Sequence, residues 1–336
     1  MDKIVSPYVV CENTLFPSER LTIPSHAIKT AKHLSYTCDL PDGFTNGKLI
    51  IGHGYEVTAS SWIEITEEEI IAFAYYSYNE PARRALFKEP IKHNLQIKDF
   101  VSAVIDVNPL DQCAILILST SSGMFKTAIN GWDGTCGEIL ATAEGVAMTN
   151  AKLNWASDGF SRKIWVLGDS YVGIAYDSRW PYYLYRDGFN HHMIAGYSGM
   201  QAQKAIEEFK RYVKKGTPEY AVWALGMNNA DSDDSINEDY LRSTEEFIFI
   251  CNERGITPIL ATIPNVPDRN NRHKNAWIKS LPYRYIDFER AVGSDKNDHW
   301  YPDMLYQDNV HPNKKGAEAL YMQVLCDFPE IMQRYT

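Results

Sequence analysis

The pattern of hydrophobic and polar positions changes its period part-way along the chain, near Ser161. Before that point the apolar stretches are short, rich in β-branched and aromatic residues, and separated by turn residues, and no long helical period develops. These stretches are "KLIIGHGYEV", "SWIEIT", "IIAFAYYSY", "FVSAVIDV", "CAILILST" and "MFKTAI". Many short strands at this spacing indicate an all-β sandwich, jelly-roll-like in character. We assign this first domain to residues 1–157.

After Ser161 short apolar strands alternate with amphipathic helical stretches, and this second domain takes residues 158–336. The predicted strands are "KIWVLG", "NHHMIAG", "EYAVWALG", "ITPILATIP" and "YRYIDFE". Helices are predicted in "WPYYLYRDG", "MQAQKAIEEFKRYVKKG", "INEDYLRSTEEFIFICNERG", "RHKNAWIKSL" and "NKKGAEALYMQVLCDF". This alternation predicts an α/β domain with a five-stranded parallel sheet, in the flavodoxin-like order 2-1-3-4-5. In such sheets ligands bind outside the carboxyl ends of the strands.

Composition and charge narrow the range of partners. The 336 residues are 45% apolar and 23% charged, an ordinary globular balance, and the net charge is −10. An acidic chain without a run of Lys or Arg is not expected to bind nucleic acid or an anionic membrane. No segment has the character of a signal peptide or a membrane span, so we expect a cytoplasmic protein, or a secreted one if a leader was removed. The six cysteines form no CxxC pair, and no metal site or cofactor is predicted.

The residues that carry chemistry follow the predicted strands of the second domain. Ser170 ends the first strand in "VLGDSYVG", Gly199 follows the second in "AGYSGMQ", and Asn228 follows the third in "LGMNNAD". Asp308 and His311 lie in "YQDNVHPNKKG", just before the last helix. A nucleophilic serine needs a base, a group that orients the base, and donors for an oxyanion. The carboxyl edge of one sheet therefore receives a complete set of these groups.

The ordered blocks "GDSY", "GYSG", "GMNN" and "DNVH" resemble those of the SGNH hydrolases, also called the GDSL lipase/esterase family, over roughly residues 163–328. The resemblance implies an acyl-ester hydrolase that needs neither metal nor organic cofactor. It implies that Ser170 is the nucleophile, that His311 is the general base and that Asp308 orients His311. It also implies an oxyanion hole made by the N–H of Ser170, the N–H of Gly199 and the side-chain amide of Asn228.

Two residues depart from the family pattern. Tyr171 stands where the family name has Leu, and Asn229 stands where Asp or Glu often follows the Asn of the third block. We expect Asp169 to brace the loop through backbone N–H groups, and we expect Ser170 to open the following helix.

The substrate is less well defined by the sequence than the reaction. The candidate substrate contacts are Tyr171, Trp300 and His299, although aromatic rings in such loops also serve as packing between helix and sheet. The polar loops around the site favour a short acyl group and a hydrophilic alcohol. The favoured function is removal of acetyl or another short acyl group from a carbohydrate, with a small-molecule or oligosaccharide ester as partner. The alternatives are a lipase or thioesterase for longer chains and a non-catalytic carbohydrate-binding protein, and the oligomeric state stays open.

Overall fold

The computed structural model of the chain divides into two compact units, Met1–Asp158 and Gly159–Thr336. It describes residues 8–9, 13–15, 20–23, 32–40, 47–53, 60–75, 84–85, 89–108, 113–130, 139–173, 178–189, 191–196, 198–293 and 300–334. Each unit has its own type of sheet, antiparallel in the first and parallel in the second.

The first unit contains two seven-stranded antiparallel sheets. One is built from β1 (Tyr8–Val9), β2 (Asn13–Leu15), β4 (Lys32–Asp39), β10 (Phe100–Asn108), β11 (Cys113–Thr120), β12 (Gly123–Asn130) and β14 (Met148–Ser157). The other is built from β3 (Arg20–Ile23), β5 (Lys48–His53), β6 (Ser60–Ile65), β7 (Glu69–Tyr75), β8 (Arg84–Ala85), β9 (Ile91–Lys92) and β13 (Ile139–Glu144). The strand orders are β1-β14-β4-β10-β11-β12, with β2 on β14, and β3-β13-β5-β6-β7-β8, with β9 on β7.

The six stretches predicted as strands overlap β5, β6, β7, β10, β11 and β12. In β11 the reason is clear, because Ala114, Leu116 and Leu118 are fully buried while the residues between them are partly exposed. This alternation is the signature of a strand with one face in the core. The prediction missed β4, whose sequence "KHLSYTCD" is mostly polar, together with β13 and β14.

The second unit is an α/β domain with one parallel sheet. Its strands are β15 (Ile164–Gly168), β16 (His192–Gly196), β17 (Tyr220–Ala224), β18 (Thr257–Ala261) and β19 (Arg284–Ile286). The order β16-β15-β17-β18-β19 is the predicted 2-1-3-4-5, so the five-stranded parallel sheet is confirmed. The helices are α1 (Trp180–Arg186), α2 (Ala202–Tyr212), α3 (Glu238–Glu253), α4 (Arg272–Ser280), α5 (Phe288–Val292) and α6 (Lys314–Asp327). Within the described part of the chain, no helix has the length and apolar character needed to cross a membrane.

The short helix α5 was not predicted. The pattern "YRYIDFE" indicated a strand to Glu289, but β19 ends at Ile286. Asp287 is the reason, because its carboxylate accepts the N–H of Arg290 at 3.2 Å and caps a helix that begins at Phe288.

Two glycines allow the turn after β15 to fold back against its neighbouring strands. Gly168 pairs in register with Gly196 of β16 and Ala224 of β17. A Cβ atom on Gly168 would lie 2.2 Å from Val172 Cγ2, and one on Gly196 would lie 2.7 Å from the Val172 carbonyl carbon. Larger residues at either position would therefore push this turn, and Ser170 within it, away from the sheet.

Candidate active site

Ser170 lies in a tight turn directly after the carboxyl end of β15. The N–H groups of Val172 and Gly173 both donate to the carbonyl of Asp169, at 3.1 and 3.2 Å. The prediction that Ser170 opens a helix is wrong, because these bonds form a turn and α1 begins only at Trp180. Ser170 is buried, with 6% of its surface exposed.

The hydroxyl of Ser170 is joined to Asp308 through the ring of His311. Ser170 Oγ lies 2.9 Å from His311 Nε2, and His311 Nδ1 lies 2.6 Å from Asp308 Oδ2. The other oxygen, Asp308 Oδ1, accepts the N–H groups of Val310 and His311 at 3.0 and 2.9 Å. Asn309 has φ +56°, a left-handed conformation that Asn tolerates better than most residues. One carboxylate therefore shapes the turn and holds the imidazole within it.

Burial, together with two nearby arginines, favours the neutral form of His311. Burial lowers the pKa of His311, the hydrogen bond to Asp308 opposes this, and the positive charges of Arg179 and Arg269 lower the pKa further. For Asp308, burial acts to raise the pKa, but hydrogen bonds from the backbone and ring of His311 and from the N–H of Val310 outweigh it and lower the pKa. At neutral pH a neutral imidazole thus lies beside an ionised carboxylate, as a general base requires.

The two predicted oxyanion donors lie on loops beyond β16 and β17, the strands on either side of β15. Gly199 has φ +73°, a conformation that favours glycine, and nothing lies within 4 Å of the position its Cβ would take. Asn228 Nδ2 donates to the carbonyl oxygen of Met200 at 3.0 Å, which places the amide beside the Gly199 turn. The structure thus brings these two loops together at the edge that carries Ser170.

The side chain of Asn229 connects the loop after β17 to the first residues of α2, which follow the Gly199 loop. Its Oδ1 accepts the N–H of Ala202 and its Nδ2 donates to Gln203 Oε1, both at 2.9 Å. The carbonyl of Asn229 accepts from Lys274 Nζ, and Lys274 also forms a 2.9 Å ion pair with Asp231. Both side chains of that pair are completely buried. Asn229 therefore supports both loops through its side chain and its carbonyl.

Asp169 braces the turn around the serine. It is 2% exposed, and its Oδ1 accepts the N–H of Tyr171 at 3.0 Å, as the bracing hypothesis requires. Burial raises its pKa to about 6, against the lowering effects of the Tyr171 N–H, the charges of Arg179 and Arg269, and a hydrogen bond from the backbone of Met227.

Two aromatic residues that were expected to contact substrate, Tyr171 and Trp300, are instead packed in the interior. Tyr171 is 5% exposed and Trp300 is 4% exposed, and their rings meet edge to face at 6.0 Å. The Tyr171 hydroxyl donates to the Val310 carbonyl, and its ring lies 6.2 Å from that of His311. Rings so deeply buried cannot offer a face to a sugar, which corrects both expectations. His299 lies outside the described residues.

Two arginines near the site were missed by the sequence reasoning. Arg179 precedes α1, and Arg269 follows β18, so that both lie in loops. The charges of both act on His311, Asp169 and Tyr171. Their loop positions after β15 and β18 were the available signal. Among the described residues, no three His, Cys, Asp or Glu side chains are grouped as metal ligands would be.

No protein-family model matches the chain, and no curated protein matches it. Solved structures do. About half of the chain resembles the GDSL hydrolases. A GDSL-like lipase from Bacteroides thetaiotaomicron has 18% identity and a TM-score of 0.39, over 50% of this chain and 87% of the other. A carbohydrate esterase family 3 protein from Talaromyces cellulolyticus has 18% identity and a TM-score of 0.40, over 51% and 98%. The names lipase and carbohydrate esterase belong to these two solved structures and are not assigned to this chain by the similarity.

Proposed function

We propose that the protein is a serine ester hydrolase in which Ser170 is the nucleophile, His311 the general base and Asp308 the group that orients the base. The observation that carries this proposal is the unbroken hydrogen-bond path between these three residues. It runs over 2.9 Å from Ser170 Oγ to His311 Nε2 and over 2.6 Å from His311 Nδ1 to Asp308 Oδ2. Both distances lie within the range needed for proton transfer and orientation.

The reaction would follow from this geometry in two halves. Ser170 Oγ attacks the acyl carbon while His311 Nε2 takes its proton, and Asp308 stabilises the imidazolium. The N–H of Gly199 and the amide of Asn228 would donate to the developing oxyanion together with the N–H of Ser170, and removal of one such donor typically costs about 10²- to 10³-fold in kcat. His311 then gives the proton to the leaving alcohol. In the second half a water molecule attacks the acyl carbon while His311 takes its proton. Ser170 Oγ then leaves and regains its proton from His311, and the free acid is released.

The proposed substrate is an acetylated or short-chain-acylated carbohydrate. Two aromatic side chains on the segment that carries the triad turn support it, because Tyr301 is 41% exposed and Tyr306 is 50% exposed. Tyr306 belongs to the turn itself, since its N–H donates to the His311 carbonyl at 2.8 Å. Exposed rings of this kind offer the flat apolar surface on which sugar rings stack. They take the role that was expected of Tyr171 and Trp300.

For the first unit we propose a β-sandwich domain, with the boundary to the second domain between residues 157 and 158, one residue before the division between the two compact units. Each antiparallel sheet has a buried apolar face, represented by Ile105 and Leu116 in one and by Ile51 and Ile63 in the other. Among the described residues of this unit there is no α-helix to cover these faces. Packing of one sheet on the other is the arrangement that buries both.

The test is a substrate panel with a matched control. The full-length protein, Ser170→Ala and the control Ser280→Ala, an exposed serine on α4, are assayed with acetylated oligosaccharides and with 4-nitrophenyl esters of increasing chain length. We expect activity in the first and third proteins only, with a sharp fall beyond acetate. Rising activity with chain length would favour a lipase or thioesterase. Equal activity in Ser170→Ala and the parent would contradict the proposal.

A further inference from the structure

Arg269 contacts the candidate oxyanion amide directly. It lies in the loop after β18 and is partly exposed. Its Nη1 donates to Asn228 Oδ1 at 2.9 Å and to the carbonyl oxygen of Met227 at 3.1 Å. The other end of the same amide, Asn228 Nδ2, donates to the Met200 carbonyl at 3.0 Å. The Asn228 side chain is therefore held at both ends.

These two contacts fix the direction in which the amide points. A guanidinium can only donate hydrogen bonds, so it must face the oxygen of the Asn228 side chain. The Met200 carbonyl can only accept, so it must face the nitrogen. Rotation of the amide by 180° would set two donors against each other and two acceptors against each other. Each partner thus enforces the same orientation.

We propose that Arg269 is a positioning residue that holds the Asn228 amide with one N–H bound to Met200 and the other free to bind the oxyanion. This inference rests on the proposed ester hydrolase function. A primary amide has two N–H groups, and the Met200 carbonyl uses one of them. The positive charge beside Oδ1 also draws electron density from the amide and makes the remaining N–H a stronger donor.

A direct role in substrate binding makes a different prediction. A partly exposed guanidinium could bind an anionic group on the substrate, and its loss would then act mainly on KM and would not depend on Asn228. A positioning role acts on kcat, because the oxyanion forms only in the transition state. It also disappears when Asn228 is absent. The two roles are separated by a double-mutant cycle.

The cycle uses the parent protein, Arg269→Met, Asn228→Ala and the double variant, with Arg290→Met as a control at an exposed arginine on α5. All rates are measured at about pH 8.5, where His311 is neutral with or without the charge of Arg269. The first readout is the rate at which a fluorophosphonate labels Ser170, since the phosphonyl oxygen occupies the oxyanion hole. The second is kcat and KM with 4-nitrophenyl acetate. We expect Arg269→Met to slow labelling and kcat by about tenfold, below the full loss of a donor, with KM within about twofold. The double variant should be as slow as Asn228→Ala alone.

Three results would overturn the inference while the proposed function stands: multiplied losses in the double variant, a loss in KM alone, or no effect of Arg269→Met. Arg269→Lys, which keeps the charge and one donor direction, should recover part of the rate and takes the place of Arg269→Met in the cycle if that variant does not fold. Failure of the proposed function is a different result, namely no labelling of Ser170 in the folded parent protein.

Discussion

The carboxylate of Asp308 binds His311 at two points, with Oδ1 accepting the backbone N–H at 2.9 Å and Oδ2 lying 2.6 Å from ring Nδ1. The same residue pair therefore fixes both the turn and the tautomer of the imidazole. With the proton on Nδ1 facing the carboxylate, Nε2 carries a lone pair toward Ser170 Oγ, as a base must.

Replacement of the Asp308 carboxylate by an amide should change the tautomer of His311. In Asp308→Asn the amide nitrogen can face Nδ1 and favour the tautomer with its proton on Nε2, which cannot accept from Ser170. We expect kcat with 4-nitrophenyl acetate to fall by about 10²- to 10⁴-fold, and His311→Ala to fall further because the base itself is lost. A larger loss in Asp308→Asn than in His311→Ala would contradict this order.

The pH dependence of activity reports on His311. In the proposed mechanism His311 acts as a base only when neutral, so kcat/KM should fall as the pH drops through the pKa of His311. Because burial and the nearby arginines lower that pKa, the midpoint should lie below the ordinary value of about 6.5. Arg179→Met should move the midpoint to higher pH, since a positive charge that disfavours the imidazolium is removed. A profile of kcat/KM from pH 4 to 8 measures both, and a parent midpoint above 6.5 would be inconsistent with the site.

The Tyr171 hydroxyl supports the turn that carries His311, because it donates to the carbonyl of Val310. In Tyr171→Phe the Val310 carbonyl loses its donor while the ring packing against Trp300 and His311 is kept. We expect a loss of about 1 kcal/mol in the free energy of unfolding and a fall in kcat of several-fold. Urea unfolding and steady-state kinetics provide the two numbers. If kcat is unchanged while stability falls, the hydroxyl stabilises the fold without positioning the turn.

His192 is a buried histidine at the end of the parallel sheet opposite to Ser170. Its burial predicts that the free energy of unfolding falls at acid pH. His192 begins β16, is 1% exposed, and neither ring nitrogen has a hydrogen-bond partner among the described residues. Burial lowers its pKa to about 3, with the charges of Arg162 and His191 adding to the effect. The unfolded chain, with a pKa near 6.5, therefore binds more protons between these two values, and stability is lost as the pH falls below about 6.5.

The change is measured as the free energy of unfolding in urea at pH 7.5 and pH 5. The parent should lose up to about 1.4 kcal/mol per pH unit below 6.5 from this residue, and His192→Leu should lose correspondingly less. The pKa of His311 is shifted in the same direction, so some acid sensitivity remains in the variant. An equal loss in both proteins would show that His192 is not its source.

The parts of the site that could be predicted from sequence are those fixed by local pattern. Ser170, Gly199 and Asn228 each follow an apolar strand, and parallel strands bring their carboxyl ends to one edge. Tyr171 and Trp300 could not be distinguished from exposed rings, because an aromatic residue in a loop has the same pattern whether it packs or faces solvent.

Contacts between residues of distant loops could not be predicted from the sequence either. Arg269 and Asn228 are 41 residues apart, and only the fold shows that one holds the other. Lys274 is similar, because a lysine on an amphipathic helix is expected to face solvent, whereas here it is buried against Asp231. Such pairs follow no periodicity and depend on how α4 and its loop pack under the Asn229 carbonyl.

The activation of Ser170 is tested most directly by the mass of the intact protein after reaction with a fluorophosphonate, followed by mapping of the modified peptide. We expect one adduct on Ser170 in the parent protein, none in Ser170→Ala, and a much slower reaction in His311→Ala. A folded parent protein that forms no adduct, or an adduct of equal yield in Ser170→Ala, would contradict the claim that Ser170 is an activated nucleophile.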